Sequence, residues 1–343
     1  MSRIYPSLTA LLLGTLSVAC GPGPADSMAS SAARSSAPSS PEVTPVVWTE
    51  VDAVDVEAFN ADIEPGKLTL DVGVYFPSNL DPEYDMVTLP RLMESLEAAK
   101  EIYAPTDVQI RLLWVKTGEL DPSHLAIQSN EVPGVPNGGY VNMYEHARRD
   151  PSVPTRGALD AFEAIVEPTA DAHRTVFLVV LQDVFYPFAE VSEGRNWVVK
   201  SVRTAGLSWP TYSYVGTLPQ DFRGVITLSN LKRPGGRSVR TIAHEIGHKA
   251  MNVSHEYRET HPGHEVYADG GLMLYGSGKE IPAGEAGRWH LERLRLSPFL
   301  YRLGEDGSKQ WNPDYEEGGH YYDPLYGDYV VRFAGVPPIA EGW

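Results

Sequence analysis

The sequence predicts an α+β domain: a mixed, twisted β-sheet, one helix that carries the chemistry, and a smaller C-terminal subdomain. Three observations predict it. Leu68, Leu70, Val72 and Val74 alternate with Thr69, Asp71 and Gly73, as in a strand with one buried face. Leu89, Leu92, Leu96 and Ala99 then recur at helical spacing, with Pro90 close to the helix start. Alternation returns from Asp107 to Val115 through Val108, Ile110 and Leu112. The economical connection for strand, helix, strand is a right-handed crossover into a parallel pair.

The remaining elements follow in order. Ala158 to Val166 reads as a second helix. Thr175 to Leu181 is an almost unbroken apolar run, the pattern of a central strand buried on both faces. Arg223 to Ser229 is a shorter strand, and a helix follows from about Ser238, whose hydroxyl can cap it. A last helix is expected from about Ala283 to Leu300, with Ala286, Trp289 and Leu296 on its apolar stripe. The Tyr-, Gly- and Pro-rich residues beyond it carry no assignable period.

Composition bounds the function. The chain has 343 residues, 42% of them hydrophobic, enough for a sizeable core. Its formal net charge of −17 repels phosphate backbones, which argues against nucleic acid as a partner. The single cysteine, Cys20, excludes an intrachain disulfide. Arg3 and the apolar run Leu8 to Ala19 read as an export signal, too short for a membrane span. Leu16-Ser17-Val18-Ala19-Cys20 resembles a bacterial lipobox, with Ser17 where leucine is usual. Cleavage before Cys20 and its lipidation would anchor an exported protein to a membrane; cleavage without lipidation would secrete it. Gly21 to about Pro45 is rich in Gly, Pro, Ala and Ser and reads as a tether. The expected organisation is a signal peptide over 1–19, anchor and tether over 20–46, a folded domain over 47–304 and an extension over 305–343.

The chemistry is concentrated in His244-Glu245-Ile246-Gly247-His248. On a helix, residues four apart project from one face, so both imidazoles can bind one zinc ion. Glu245, beside the first ligand, is the natural general base for a zinc-activated water. Ile242 and Ile246 can pack the helix onto the sheet, and Gly247 leaves room for close approach of another segment. Such a pentapeptide arises by chance in on the order of one in a hundred chains of this length, so its position on a predicted helix in an exported protein carries weight. A third ligand is needed. His255 is favoured, because the helix is expected to end near Met251 and Asn252 and the chain can double back; His264, Glu256 and Asp269 are alternatives.

The stretch from His244 to Tyr275 resembles the catalytic core of the metzincin clan of zinc peptidases, within the zincin fold. That clan carries HExxHxxGxxH and a downstream turn with a methionine beneath the metal. Gly271-Leu272-Met273-Leu274-Tyr275 resembles that turn. The resemblance implies His244, His248 and His255 as zinc ligands, Glu245 as base, Met273 as the support and Tyr275 as the oxyanion donor. Met251 stands in place of the clan's glycine, Ser254 in place of its third histidine, and His255 is one residue late. The zincin fold also implies an antiparallel edge strand along the cleft that pairs with extended peptide, expected at Arg223 to Asn230 or Thr211 to Val215.

These readings converge on a monomeric zinc endopeptidase acting on proteins or peptides, exported and tied to a membrane through Cys20 or secreted. A non-catalytic surface lipoprotein that keeps the scaffold for binding is the alternative. A zinc hydrolase using a downstream glutamate, Glu280 or Glu285, is a third reading, against which the methionine turn argues.

Overall fold

The computed structural model describes residues 46–129, 154–191, 197–209, 219–232, 237–251, 271–273, 280–281, 288–295, 297–311, 320–323 and 327–330. Two short elements open this part of the chain, strand β1 (Thr49–Glu50) and helix α1 (Val56–Phe59). The Asp55 carboxylate caps α1 by accepting from the Ala58 amide at 2.8 Å. Strand β2 (Leu68–Pro77), helix α2 (Leu89–Tyr103) and strand β3 (Val108–Gly118) follow. β2 and β3 run parallel, from Leu68 opposite Val108 to Pro77 opposite Gly118, as the strand-helix-strand order predicts. Between α2 and β3 the chain reverses through Asp107 at a φ of 59°, a left-handed conformation that Asp tolerates better than most residues. The register shifts after Val72, where Val72 faces Leu112 and Gly73 faces Trp114. Leu113 is thus a one-residue bulge, and it carries the Trp114 indole over Gly73, where a Cβ would come within 2.5 Å of the ring.

Strand β4 (Ala126–Gln128), helix α3 (Arg156–Ile165), strands β5 (Val176–Val180), β6 (Asp183–Val191), β7 (Trp197–Arg203), β8 (Gly206–Ser208) and β9 (Val225–Leu228) come next. Helices α4 (Arg237–Ala250) and α5 (Arg288–Arg295) precede strands β10 (Leu300–Leu303), β11 (Lys309–Trp311), β12 (His320–Asp323) and β13 (Gly327–Val330). The main sheet has eight strands in the order β1-β3-β2-β5-β9-β8, with β10 on the first residues of β2 and β11 on β10. It is mixed: β3, β2, β5 and β9 are parallel, whereas β1, β8 and β10 run antiparallel to their neighbours. The fold is α+β. β4, β6 and β7 form a separate three-stranded sheet, and β12 pairs with β13.

The apolar run of β5 becomes the sheet's centre, with every residue from Val176 to Val180 fully buried. One face carries Leu70, Val72, Val74, Val176, Leu178 and Ile226 against Leu92, Leu96 and Ala99 of α2 and Ile242, Ala243 and Ile246 of α4. The opposite face carries Tyr75, Phe177, Val179 and Val225 against Ala158, Ala161, Phe162 and Ile165 of α3 and against Trp209.

Four expectations change. β2 is buried on both faces, not one, because Asp71 finds partners on the side expected to be wet. Asp71 Oδ1 and Oδ2 accept from Arg111 Nε and Nη2 at 2.8 and 2.9 Å, Oδ1 also accepts from the Tyr301 hydroxyl at 2.6 Å, and Lys309 Nζ lies 2.9 Å from Oδ2. The strand from the Arg223 to Asn230 region is β9, which is interior, lying between β5 and β8; the edge is β8. Residues 211–215 lie outside the described residues. The last helix ends at Arg295 rather than Leu300: Pro298 has no amide to continue it, and Leu300 pairs with Leu70 on the free edge of β2. The C-terminal stretch, without a legible period, supplies β11 to the main sheet beside β10. Among the described residues no helix is long and apolar enough to cross a membrane.

Candidate metal centre and active site

Helix α4 positions the chemistry because one stripe of it is apolar. Ile242, Ala243, Ile246 and Ala250 are buried against the core. α2 fixes it further: the buried Tyr103 hydroxyl donates to the Ala243 carbonyl at 2.9 Å. With that stripe inward, His244 and His248 share another side of the helix. Their ring centroids are 4.7 Å apart with the planes at 82°. His244 and Glu245 are buried and His248 is half-buried.

The segment Gly271 to Met273 packs against this helix from the side. His244 Nδ1 lies 2.8 Å from the Leu272 carbonyl, and Arg240 Nη2 donates to the same carbonyl at 2.8 Å. A carbonyl only accepts, so His244 Nδ1 donates to it, and in the neutral ring the lone pair lies on Nε2. The 3.1 Å approach of Arg240 Nη2 to His244 Nδ1 is then two donors meeting at one oxygen, not a bond between them. Met273 is fully buried, and a Cβ on Gly247 would overlap its sulfur. The room that Gly247 leaves on the helix is filled by Met273.

Glu245 faces the edge strand. Its Oε2 accepts from the Ser208 amide at 2.9 Å, and a Cβ on Gly206 would come within 2.8 Å of its Oε1 and Cγ. In the β8–β9 ladder, Ala205 and Trp209 bond inward, the Ala205 carbonyl to the Ser229 amide at 2.8 Å and the Trp209 amide to the Val225 carbonyl at 3.3 Å. Alternation in an antiparallel pair turns the amides and carbonyls of Gly206 and Ser208 outward, to the open side of β8. One turn after Glu245, Lys249 is buried and donates through Nζ to the Trp209 carbonyl and, at 2.6 Å, to the Arg223 carbonyl. Burial pushes the Lys249 ammonium well below the ordinary lysine range; Arg223 adds repulsion and Glu245 offsets part of it.

No family model matches the chain, and no curated protein matches its sequence.

The structure thus brings together His244, Glu245, Gly247, His248, Leu272 and Met273. His255, His264, Glu256, Asp269, Tyr275, Glu285 and Cys20 lie outside the described residues, and Glu280 is exposed. Among the described residues no group of three His, Cys, Asp or Glu side chains is arranged to hold a metal ion. Sequence reasoning missed Arg240, Lys249 and the edge residues Gly206 and Ser208. The signal for the first two is spacing: Arg240 stands four residues before His244, and Lys249 four after Glu245, so each shares a face with the chemistry. Three residues give β8 too little pattern to be seen.

Proposed function

We propose that this chain is a zinc-dependent endopeptidase with a zincin-like, metzincin-type architecture. The observation that carries the reading is the 2.8 Å contact of His244 Nδ1 with the Leu272 carbonyl. A backbone carbonyl on one ring nitrogen fixes the tautomer that offers the other to a metal, an arrangement typical of ligating histidines. The carbonyl comes from the turn whose methionine lies under the same helix. Two imidazoles on one helix face, the first with its tautomer set in this way, fit zinc. β8, an antiparallel edge strand bonded to Glu245, supports the zincin architecture.

In this reading His244 and His248 would hold the metal with a third ligand at His255 or, failing that, His264. Zinc held there supplies the Lewis acidity that makes water a nucleophile near neutral pH. Glu245 takes the proton from the attacking water on its carboxylate and returns it to the leaving amine, so the base is regenerated. The Ser208 amide holds the carboxylate in place for both transfers. Tyr275 donates to the oxyanion. The outward amide and carbonyl of Gly206 and the outward carbonyl of Ser208 offer an extended peptide a strand to pair with. The sequence of the leader adds export, with anchoring through Cys20.

The test is cleavage of casein and a quenched peptide library by purified, zinc-loaded protein, with and without chelator. Glu245→Ala is expected to keep zinc and to lose at least about 100-fold in kcat/KM. Undiminished cleavage by a zinc-loaded Glu245→Ala protein would overturn the reading. Zinc binding by the wild type without chelator-sensitive cleavage would leave the binding scaffold instead. His255→Ala and His264→Ala, each assayed for zinc, identify the third ligand.

A further inference from the structure

We infer that Lys249 is a positioning residue that locks the edge strand β8 to the active-site helix and thereby fixes which substrate bond is presented to Glu245. The consequence for cleavage rests on the peptidase reading; the lock itself rests only on contacts. Lys249 is buried on α4, and its Nζ donates to two backbone carbonyls from different parts of the chain, Trp209 just after β8 and Arg223 just before β9. Amine and ammonium both carry enough N–H groups for two carbonyls, so the lock does not depend on charge. One turn earlier on the same helix side, Glu245 Oε2 accepts from the Ser208 amide. Two consecutive residues of the edge are therefore tied to two side chains four residues apart on α4.

Lys249 supports stability as well as the tie: the buried amine and the two carbonyls satisfy one another, and an apolar side chain of similar length would fill the space but leave the Trp209 and Arg223 carbonyls without this donor. What the apolar chain would lack is the tie. β8 is three residues long and, among the described residues, bonded to the sheet on one side only, so the ladder with β9 holds its register weakly. A one-residue slip would carry every outward amide and carbonyl away from its place beside Glu245 and present the neighbouring peptide bond.

The experiment is Lys249→Met in the full chain, read two ways. In metal-free protein, amide hydrogen exchange at Leu207 and Trp209 is expected to accelerate about tenfold or more, with Val176 to Val180 unchanged. In zinc-loaded protein, KM for a defined peptide is expected to rise about tenfold with kcat changed far less, and cleavage is expected to spread to adjacent bonds. Lys249→Gln, which keeps N–H donors on a shorter stem, is expected between Met and wild type in both. Unchanged edge exchange with a single cleavage site in both variants overturns the proposal. So does equal acceleration across β5 and β8, or failure of both variants to fold, since either makes Lys249 a general support of the fold. If the zinc-loaded wild type cleaves nothing, the peptidase reading fails, and the exchange measurement still decides the lock.

Discussion

Gly247 and Met273 share one space: a Cβ on the glycine would overlap the Sδ of the methionine, with Met251 Cε and the Tyr103 hydroxyl at 3.1 and 3.2 Å behind it. The glycine of the HEIGH segment and the methionine of the downstream turn are therefore complementary surfaces. Neither can change size without the other.

Gly247→Ala is expected to destabilise the domain by about 1–3 kcal/mol through overpacking, and to lower zinc affinity by moving His244 and His248. Met273→Ala opens a cavity instead. The double variant is expected to be more stable than the sum of the singles, because the alanine enters the space that the sulfur vacates. Urea denaturation of all four proteins measures the coupling; additive effects would show that the two residues do not share the space.

At the edge strand, Gly206→Ala is expected to act on catalysis rather than on folding. A Cβ there meets Glu245 Oε1 and Cγ at 2.8 Å, so the carboxylate must turn away from its bond to the Ser208 amide. The expected result is a fall in kcat of about tenfold or more, with zinc content unchanged, since displacement of a positioned group by about 1 Å can reduce rates by as much as 100-fold. Steady-state kinetics with metal analysis checks it.

The ion-pair cluster at Asp71 is a separate staple. Asp71 is buried, while Arg111 and Lys309 each keep part of their surface in water. Asp71→Asn is expected to cost about 2–3 kcal/mol, less than the 3–5 kcal/mol of a fully buried pair, because the stranded cations can hydrate. Amide exchange at Leu300 to Leu303 is expected to accelerate most, since Tyr301 and Lys309 attach β10 and β11 to β2 through that carboxylate.

Tyr103 and Tyr75 set an alkaline limit. Burial raises the pKa of both phenols above the ordinary value, and Tyr103 has burial as its sole cause. The unfolded chain loses these protons near pH 10 while the native state keeps them. Native protein then binds more protons than unfolded, so stability is fully present below about pH 10 and declines above it. Each such tyrosine adds up to about 1.4 kcal/mol per pH unit to the decline. Tyr103→Phe is expected to flatten the decline, although its lost bond to the Ala243 carbonyl lowers stability by about 0.5–1.5 kcal/mol at neutral pH. Tyrosinate absorbance followed through alkaline unfolding checks the sign.

Much of the fold was legible where local pattern is strong. The alternation at Leu68 to Val74, the helical spacing at Leu89 to Ala99 and the apolar run at Thr175 to Leu181 each gave the element found there. The run gave the sheet's centre as well, because a strand with no polar side has nowhere to be but inside. The last helix failed at Pro298 and Leu300, where loss of an amide donor and pairing with β2 overrode apolar spacing. β8 was invisible because three residues carry no period, and burial of Asp71 was invisible because its partners lie on β3, β10 and β11.

By itself, the sequence determined the chemical vocabulary: two histidines one helical turn apart, a glutamate between them, a glycine that leaves space and a methionine turn downstream. These follow from spacing along one chain, which a helix converts directly into shared faces. Only the tertiary structure decided what those residues meet. It gave His244 the Leu272 carbonyl, Glu245 the Ser208 amide, Gly247 the Met273 sulfur and Lys249 two carbonyls beside the edge strand. Those partners lie between 26 and 40 positions away in sequence, and helix spacing carries no information at that range. Packing of α4 against the sheet and α2 selects them.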